Sequence, residues 1–376
     1  MSGRVKAQVI DKQGKVVKDF PWQRNLILNS GMNEMAARAL NNCWKFAVIG
    51  TGNSANKHSS GAITASQSGT TVTFSASFTN LSVGTTLKWD TGGEIAMVTT
   101  VTSSTSVEVD RSQTVSANTF ASYRTEKTAL DSESKRADVF GTGDNGTTYD
   151  NATRTATYRR EWEFAEEVAN VNYNEVGFSW NTSTANLFSR IVLASTISML
   201  TGQKLRLKYE LDVVVGPAPG ASTWNVSGWA NSSGTWGAEG FGIIAVRSDG
   251  ITNTGSTAQT FTASHEPASM LETVLSNGTN AIAFPASGQH TGDDGATAGL
   301  EASSNVPATY VVNSFKRSTT STFDTGTSLA SVSSIRIHAE FIRDWALRYL
   351  FSTANTKEDT HKLTLTYELT WDRVLN

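Results

Sequence analysis

The sequence has 376 residues, a formal net charge of −3 and a pI near 6.0, and only 17% of its residues are charged. This balance excludes a strongly basic surface, so we expect no direct contact with nucleic acid. The single cysteine, Cys43, excludes an intrachain disulfide framework and a cysteine-based zinc site, and we expect it to be a buried small residue.

The N-terminus and the hydropathy pattern argue against targeting to a membrane. Residues 1–6 contain no apolar segment of the kind found in secretion signals. No apolar run approaches the roughly 18 residues that span a bilayer. We therefore expect the chain to be made in a cytoplasm, to fold there and not to insert into a membrane.

The first 58 residues predict a hairpin, one helix and a strand. Apolar residues alternate through Arg4–Ile10, a turn follows at 11–14, and 15–20 returns as the second arm. After a helix cap at Ser30, apolar residues recur at helical spacing at Met32, Met35, Ala36 and Leu40.

Charged residues almost disappear between residues 59 and 123, where Ser, Thr and Val dominate. Short apolar segments there alternate with turn-like segments, which is typical of a small β meander or barrel. We interpret 59–123 as a small β module inserted into an N-terminal β domain, which consists of 1–58 with 124–215 and contains one helix.

An octad with alternating leucines occurs twice, at Lys204–Leu211 and at Lys362–Leu369. This alternation predicts a strand with one buried face and one solvated face. Because the copies are far apart, we expect the last strand either to return to the earlier sheet or to repeat its architecture.

The second half of the chain begins after two prolines in the segment 216–220. We predict a Trp-, Gly- and Ser-rich β module over 216–330, with a short helix at Ser269–Leu275. Residues 331–376 are predicted to be C-terminal strands that pack on the first or the second domain. The fold class is therefore mainly all-β, with β-sandwich-like domains, the inserted module and one or two short helices.

No residue pattern points to catalysis or to a cofactor. The five histidines lack the spacing of a metal motif, and no Gly-x-Ser-x-Gly elbow occurs. Asp and Asn residues in two loops are calcium-type ligands without EF-hand spacing. They are Asp144, Asn145, Asp150, Asp293 and Asp294. We predict no catalytic residues, no metal and no cofactor, and hence no enzyme.

Three tryptophans lie close together in an uncharged stretch, at Trp224, Trp229 and Trp236. Trp faces stack on sugar rings, so a glycan site is one interpretation. Trp is also enriched in cores and at subunit interfaces. We favour the second interpretation and leave the first open.

Five segments carry a resemblance to bacteriophage minor structural proteins of tails and tail appendages. They are Asn25–Gly31, Ala47–Ser54 (AVIGTGNS), Asn174–Ser179 (NEVGFS), Leu187–Arg190 (LFSR) and Gly202–Tyr209 (GQKLRLKY). The Ser- and Thr-rich module at 59–123 is similar to the small β insertions of virion proteins. The resemblance covers roughly 1–215 and the second octad. It implies a virion component but no position within the virion, and it assigns no catalytic residues.

The leading hypothesis is a non-enzymatic structural protein of a phage virion, in the tail or a tail appendage, that forms a symmetric homo-oligomer. Its expected partners are other copies of itself and other virion proteins. One alternative is a receptor- or carbohydrate-binding module at the tail tip, with a host surface glycan as its partner. A glycan depolymerase is the least favoured alternative.

Overall fold

The regular secondary structure of the described residues is almost entirely β-strand. The computed structural model describes residues 1–37, 42–139, 143–150, 153, 155–214, 221–223, 233–237, 271–276, 299–339 and 345–375. Strands make up 60% of the structure and helix 3%, which confirms the predicted all-β class. No helix in the described ranges has the length and apolar character needed to span a bilayer.

One α-helix, α1, spans Asn29–Glu34. The strands of the first half are β1 Ser2–Ile10, β2 Val16–Asp19, β3 Gln23–Ile27, β4 Phe46–Gly50, β5 Lys57–Phe74, β6 Thr86–Trp89, β7 Ile95–Ser103, β8 Ser106–Tyr123, β9 Glu133–Asp138, β10 Gly146–Asp150, β11 Thr155–Glu163, β12 Val171–Ser179, β13 Leu187–Met199 and β14 Lys204–Val214. Those of the second half are β15 Ala221–Thr223, β16 Ser233–Gly237, β17 Leu271–Ser276, β18 Gly299–Glu301, β19 Ser304–Pro307, β20 Lys316–Phe323, β21 Leu329–Ala339, β22 Trp345–Lys357 and β23 Leu363–Thr370.

The largest sheet has the strand order β10-β11-β14-β1-β3-β13-β12-β4-β9, and β2 pairs with β1. It folds over at β3, whose residues 23–25 pair with β1 while Leu26 and Ile27 pair with β13. The two halves therefore face each other as the layers of a sandwich. The Phe178 ring on β12 lies 4.2 Å from the Tyr209 ring on β14, measured between centroids.

Aromatic side chains fill the space between these layers. The ring centroid of Trp44 lies 5.2 Å from that of Phe188 and 5.9 Å from that of Tyr209. Trp162 on β11 lies 4.9 Å from Phe178. All five side chains are at most 1% exposed, so each contributes nearly its whole apolar surface to the core.

The hairpin and the helix of the first 58 residues correspond to β1, β2 and α1. Asp11 closes the turn, because its carboxylate accepts the N–H groups of Gln13 and Lys15 at 3.0 and 2.9 Å. Gly14 has a φ of +81°, which glycine adopts without a steric penalty. Met32 and Met35 are fully buried, and Leu40 lies outside the described residues.

The two octads lie in different sheets. The first is part of β14, between β1 and β11, and its Leu205 and Leu207 are fully buried. The second is part of β23, which among the described strands pairs only with β20 in the sheet β19-β20-β23. Of the two expected arrangements, a return of the last strand to the sheet of the first octad is therefore wrong. Alternation specifies which face of a strand is buried and does not specify the neighbouring strand.

A six-stranded sheet has the order β15-β16-β22-β21-β17-β18. The predicted helix at Ser269–Leu275 is wrong, because Leu271–Ser276 forms β17 between β21 and β18. Pairing to two neighbouring strands overrides a weak local helix preference. The predicted boundary between residues 330 and 331 falls inside β21.

Residues 57–123 form a four-stranded sheet, β5-β8-β6-β7, which begins two residues before the stretch 59–123 that was predicted as an inserted module. This module has a hydrophobic cluster of its own, centred on Phe74, Trp89 and Phe120. The Trp89 indole N–H donates to the Ala65 carbonyl at 2.9 Å and so links β6 to β5. The chain leaves the large sheet at β4 and returns at β9, which is the strand next to β4.

We expect Phe178→Ala to lower the free energy of unfolding by about 3–5 kcal/mol, because it removes the ring that contacts both layers and leaves a cavity. Urea unfolding followed by Trp fluorescence measures the change. Leu200→Ala is the control, since this side chain is 55% exposed and its loss should cost less than about 0.5 kcal/mol. Equal effects of the two variants would contradict the assignment of Phe178 to the core.

Candidate functional site

The predicted tryptophan site lies mostly outside the described part of the chain. Trp224 and Trp229 fall in undescribed segments. Trp236 lies on β16, where its backbone pairs with that of Tyr349 on β22. The structure therefore brings no described side chains of the three tryptophans together, and their role stays a prediction.

Paired carboxylates on β11 are engaged in cross-strand ion pairs with β14. Glu161 binds Arg206 at 2.9 Å and Lys208 at 3.3 Å. Glu163 binds Arg206 at 2.8 Å and Lys204 at 3.0 Å. Opposite charges on facing strands stabilise a sheet. The described residues contain no group of three or more His, Cys, Asp or Glu side chains placed to hold a metal.

The most distinctive polar feature is a cluster where the module of residues 57–123 joins the large sheet. We call it the junction cluster, and it comprises Arg190, Glu175, Asp131, Lys127, Ser54 and Asn56. Arg190 lies on β13 and Glu175 on the neighbouring β12. The other members lie on the two connections that lead from β4 into the module and from the module to β9.

Arg190 is fully buried, and each of its side-chain nitrogens donates a hydrogen bond. Nε and Nη2 donate to Glu175 Oε2 at 3.0 and 2.6 Å. Nη2 also reaches Asp131 Oδ2 at 2.9 Å, and Nη1 donates to the Ser54 carbonyl at 3.0 Å and to Asn56 Oδ1 at 2.5 Å. A planar guanidinium suits this arrangement because its donors point in fixed and divergent directions.

Glu175 is also fully buried and accepts hydrogen bonds from the backbone of both connections. Its Oε1 accepts the N–H of Gly52 at 3.1 Å and that of Ser132 at 2.8 Å, and Oε2 accepts the Asp131 N–H at 3.1 Å. A Cβ on Gly52 would collide with Asp131 and Glu175, and one on Gly50 with the Ser132 carbonyl. Glycine is therefore required at both positions for this close approach.

The carboxyl of Asp131 has a pKa below its ordinary value in the folded protein, so it stays ionised at acidic pH. Burial by itself would raise the pKa of its carboxyl, but hydrogen bonds from Lys127 and Ser54 and the charge of Arg190 outweigh that effect and lower the pKa. Two cations, Arg190 and Lys127, thus balance two carboxylates, Asp131 and Glu175. Such pairing is what makes burial of these charges tolerable.

The segment 371–375 makes a second connection between the module and the rest of the fold, and we call it the closing segment. Its residues alternate between buried and exposed, with Trp371, Arg373 and Leu375 buried. The Trp371 indole N–H donates to the Met32 carbonyl at 2.9 Å. The side chain of Lys88 in the module donates to the Leu375 carbonyl at 2.8 Å.

Arg373 joins α1 to the module. Its Nη2 donates to Asn29 Oδ1 at 2.5 Å and to Thr86 Oγ1 at 3.2 Å. Burial lowers the pKa of the guanidinium to about 10, so it stays charged at neutral pH. Asn29 itself donates to the Gly84 carbonyl at 3.0 Å, so that α1, the closing segment and the module form one polar contact.

A cleft of about 280 Å³ lies beside the junction cluster and is lined by residues of β3, β13, the module and the closing segment. The ammonium group of Lys57 lies 5.6 Å from the ring centroid of Tyr123 at its wall. Burial raises the pKa of Tyr123 to about 12, so its hydroxyl stays protonated. The cleft lies between the two sets of contacts that connect the module to the rest of the fold, those of the junction cluster and those of the closing segment.

Three of the five sequence segments meet in the junction cluster. Gly52 and Ser54 belong to Ala47–Ser54, Glu175 to Asn174–Ser179 and Arg190 to Leu187–Arg190. Sequence reasoning did not predict this contact. The available signal was that Glu175 is the single charged residue of β12 and Arg190 the single charged residue of β13. Such isolated charges indicate a buried ion pair when both faces of the sheet are covered.

No protein-family model, curated protein or solved structure shows significant similarity to this chain.

We expect Arg190→Met to lower the free energy of unfolding by about 3–5 kcal/mol, because it leaves the Glu175 carboxylate buried without its cation. The double variant Arg190→Met with Glu175→Gln should recover part of this loss, since the amide oxygen of Gln still accepts the backbone N–H groups. Urea unfolding measures both variants, and hydrogen exchange should locate the lost protection in residues 50–57 and 124–132. Strictly additive losses would contradict the pairing.

The lowered pKa of Asp131 makes stability depend on pH in the acid range. The folded state favours the ionised carboxylate, so its contribution is complete above the ordinary pKa of 3.8 and is lost as the pH falls through the lower folded value. We expect Asp131→Asn to flatten the loss of stability below about pH 4. Asp359→Asn, at an exposed position, is the control and should leave the slope unchanged. Thermal unfolding between pH 2 and 7 measures the slopes.

Proposed function

We propose that this chain is a non-enzymatic structural component of a bacteriophage virion, in the tail or a tail appendage, and that it assembles as a symmetric homo-oligomer. The observation that supports the proposal is that three of the five segments that resemble phage structural proteins meet at the junction cluster. Gly52, Glu175 and Arg190, one from each of these three motifs, are in contact. Because the residues of these motifs contact one another, they support a fold shared with phage structural proteins more strongly than three separate sequence similarities would.

The use of the polar groups fits an architectural role. The charges of the junction cluster bind one another and the backbone of both connections, and Arg373 binds α1 and the module. These contacts hold the module of residues 57–123 in one orientation. A symmetric assembly requires this, because each copy must present the same geometry to its neighbours.

The sheet edges also favour assembly. In the described structure β5, an 18-residue strand, pairs only with β8, and its single charged residue apart from His58 is Lys57 at its start. Long edge strands with few charges are sites of pairing with other chains unless something covers them. Bulges after Ser59, Ala65 and Gly69 interrupt this edge, which restricts such pairing to defined segments.

The expected partners are other copies of this chain and other virion proteins, and the expected location is the virion. A receptor- or carbohydrate-binding role at a tail tip is the second candidate. It rests on the tryptophan-rich stretch, because indole faces stack on sugar rings and Trp224, Trp229 and Trp236 lie within a short uncharged segment.

We expect the purified chain to form one discrete oligomer, because the proposed assembly contacts are formed between identical copies. Mass photometry gives the particle mass at nanomolar concentration, and sedimentation velocity gives it at micromolar concentration. A chain that is monomeric in both measurements would contradict the proposed homo-oligomer. The carbohydrate-binding role would then be the favoured candidate, and a glycan array would test it.

A further inference from the structure

The loop between β19 and β20 presents two adjacent valines to solvent. Val311 and Val312 are 68% and 66% exposed. Single exposed apolar residues are ordinary on protein surfaces, whereas adjacent ones concentrate apolar area at one spot. Val306, on the preceding strand β19, is 60% exposed and adds to the apolar character of this hairpin.

The backbone next to these valines is strained. Asn313 has a φ of +64° and Phe315 a φ of +50°. Asn tolerates the left-handed region, but a bulky aromatic residue rarely adopts it. Such conformations persist only where the surroundings enforce them, and they cluster at positions with a binding or switching role.

Asn33 on α1 enforces the conformation of this loop. Its Oδ1 accepts the backbone N–H of Asn313 at 2.8 Å and the hydroxyl of Tyr310 at 2.7 Å. Its side-chain nitrogen donates to Asn313 Oδ1 at 2.9 Å. These reciprocal bonds attach both sides of the valine pair to the helix.

The closing segment holds the other end of the loop. The Phe315 carbonyl accepts the backbone N–H of Trp371 at 2.9 Å. The ring of Tyr310 stacks on that of Trp371, with centroids 5.8 Å apart. The Arg373 guanidinium lies 5.4 Å from the centroid of the Phe315 ring. The loop is therefore ordered on both sides while its apolar tip is left in water.

We propose that Val311 and Val312 are a contact through which one copy of this chain binds a second copy. Burial of the valines on a partner removes apolar surface from water, and an already ordered loop loses little conformational entropy on binding. Residues 302–315 include no Asp, Glu, Lys or Arg. Two copies that meet at this tip therefore experience no repulsion between like charges of residues 302–315. This inference rests on the proposed homo-oligomer and names a surface for it.

The test is a double variant, Val311→Asp with Val312→Asp, compared with wild type and with Val168→Asp. Val168 is 90% exposed and lies on the connection between β11 and β12, which makes Val168→Asp a control for the effect of one added surface charge. We expect the double variant to raise the dissociation constant of the oligomer at least about tenfold. Val168→Asp should leave that constant unchanged. Sedimentation velocity over a concentration series measures all three chains.

A second variant, Val311→Thr with Val312→Thr, keeps the β-branched shape and guards against misfolding of the loop. It should weaken association in the same direction by a smaller factor, with an unchanged melting temperature. A wild-type oligomer that neither double variant weakens would overturn this inference and leave the proposed function standing. Equal weakening by Val168→Asp would also overturn it, because the effect would then be one of surface charge. A monomeric wild type would overturn the proposed homo-oligomer itself.

Discussion

The buried ion pair between Arg190 and Glu175 is the interaction on which the placement of the module depends. Removing two charges from water is costly, and the cost is offset only when both groups are fully hydrogen-bonded. Here the remaining bonds come from Ser54, Asn56 and the backbone around Gly52 and Ser132, which belong to the two connections of the module. The pair is satisfied only when both connections are in place, so the module and the large sheet are energetically coupled.

Apolar packing also couples the module to the large sheet. One hydrophobic cluster combines Leu26 and Leu187 of the large sheet, Tyr123 of the module and Leu375 of the closing segment. These residues are widely separated in sequence, so the cluster forms only after the long-range strand pairing is complete. The outer face of the large sheet is consequently covered near β4, which explains why β4 is apolar on both of its faces.

These contacts suit a protein whose role is to hold geometry. In the proposed virion component, the junction cluster orients the module, while Asn33 and the closing segment order the loop that carries Val311 and Val312. Both devices hold the proposed binding surfaces in defined positions, which would reduce the entropy lost if copies associate. The strain at Phe315 is consistent with this use, because the surrounding contacts maintain a conformation that the loop alone would avoid.

The sequence by itself determined the all-β class, the amphipathic strands of both octads and the stretch of uncharged residues that forms the module. These features are local: alternation, turn residues and composition act within a few residues of one another. It could not determine that the second octad joins β20 and not β1, or that Leu271–Ser276 is a strand, because the choice of neighbouring strand is a property of the assembled sheet. The junction cluster was not predicted, because its residues lie in separate motifs of the sequence. Only the tertiary structure brought them into contact. The hydrogen bond between Gly52 and Glu175 joins residues 123 positions apart and that between Ser54 and Arg190 joins residues 136 positions apart, so each depends on the path of the whole chain between them.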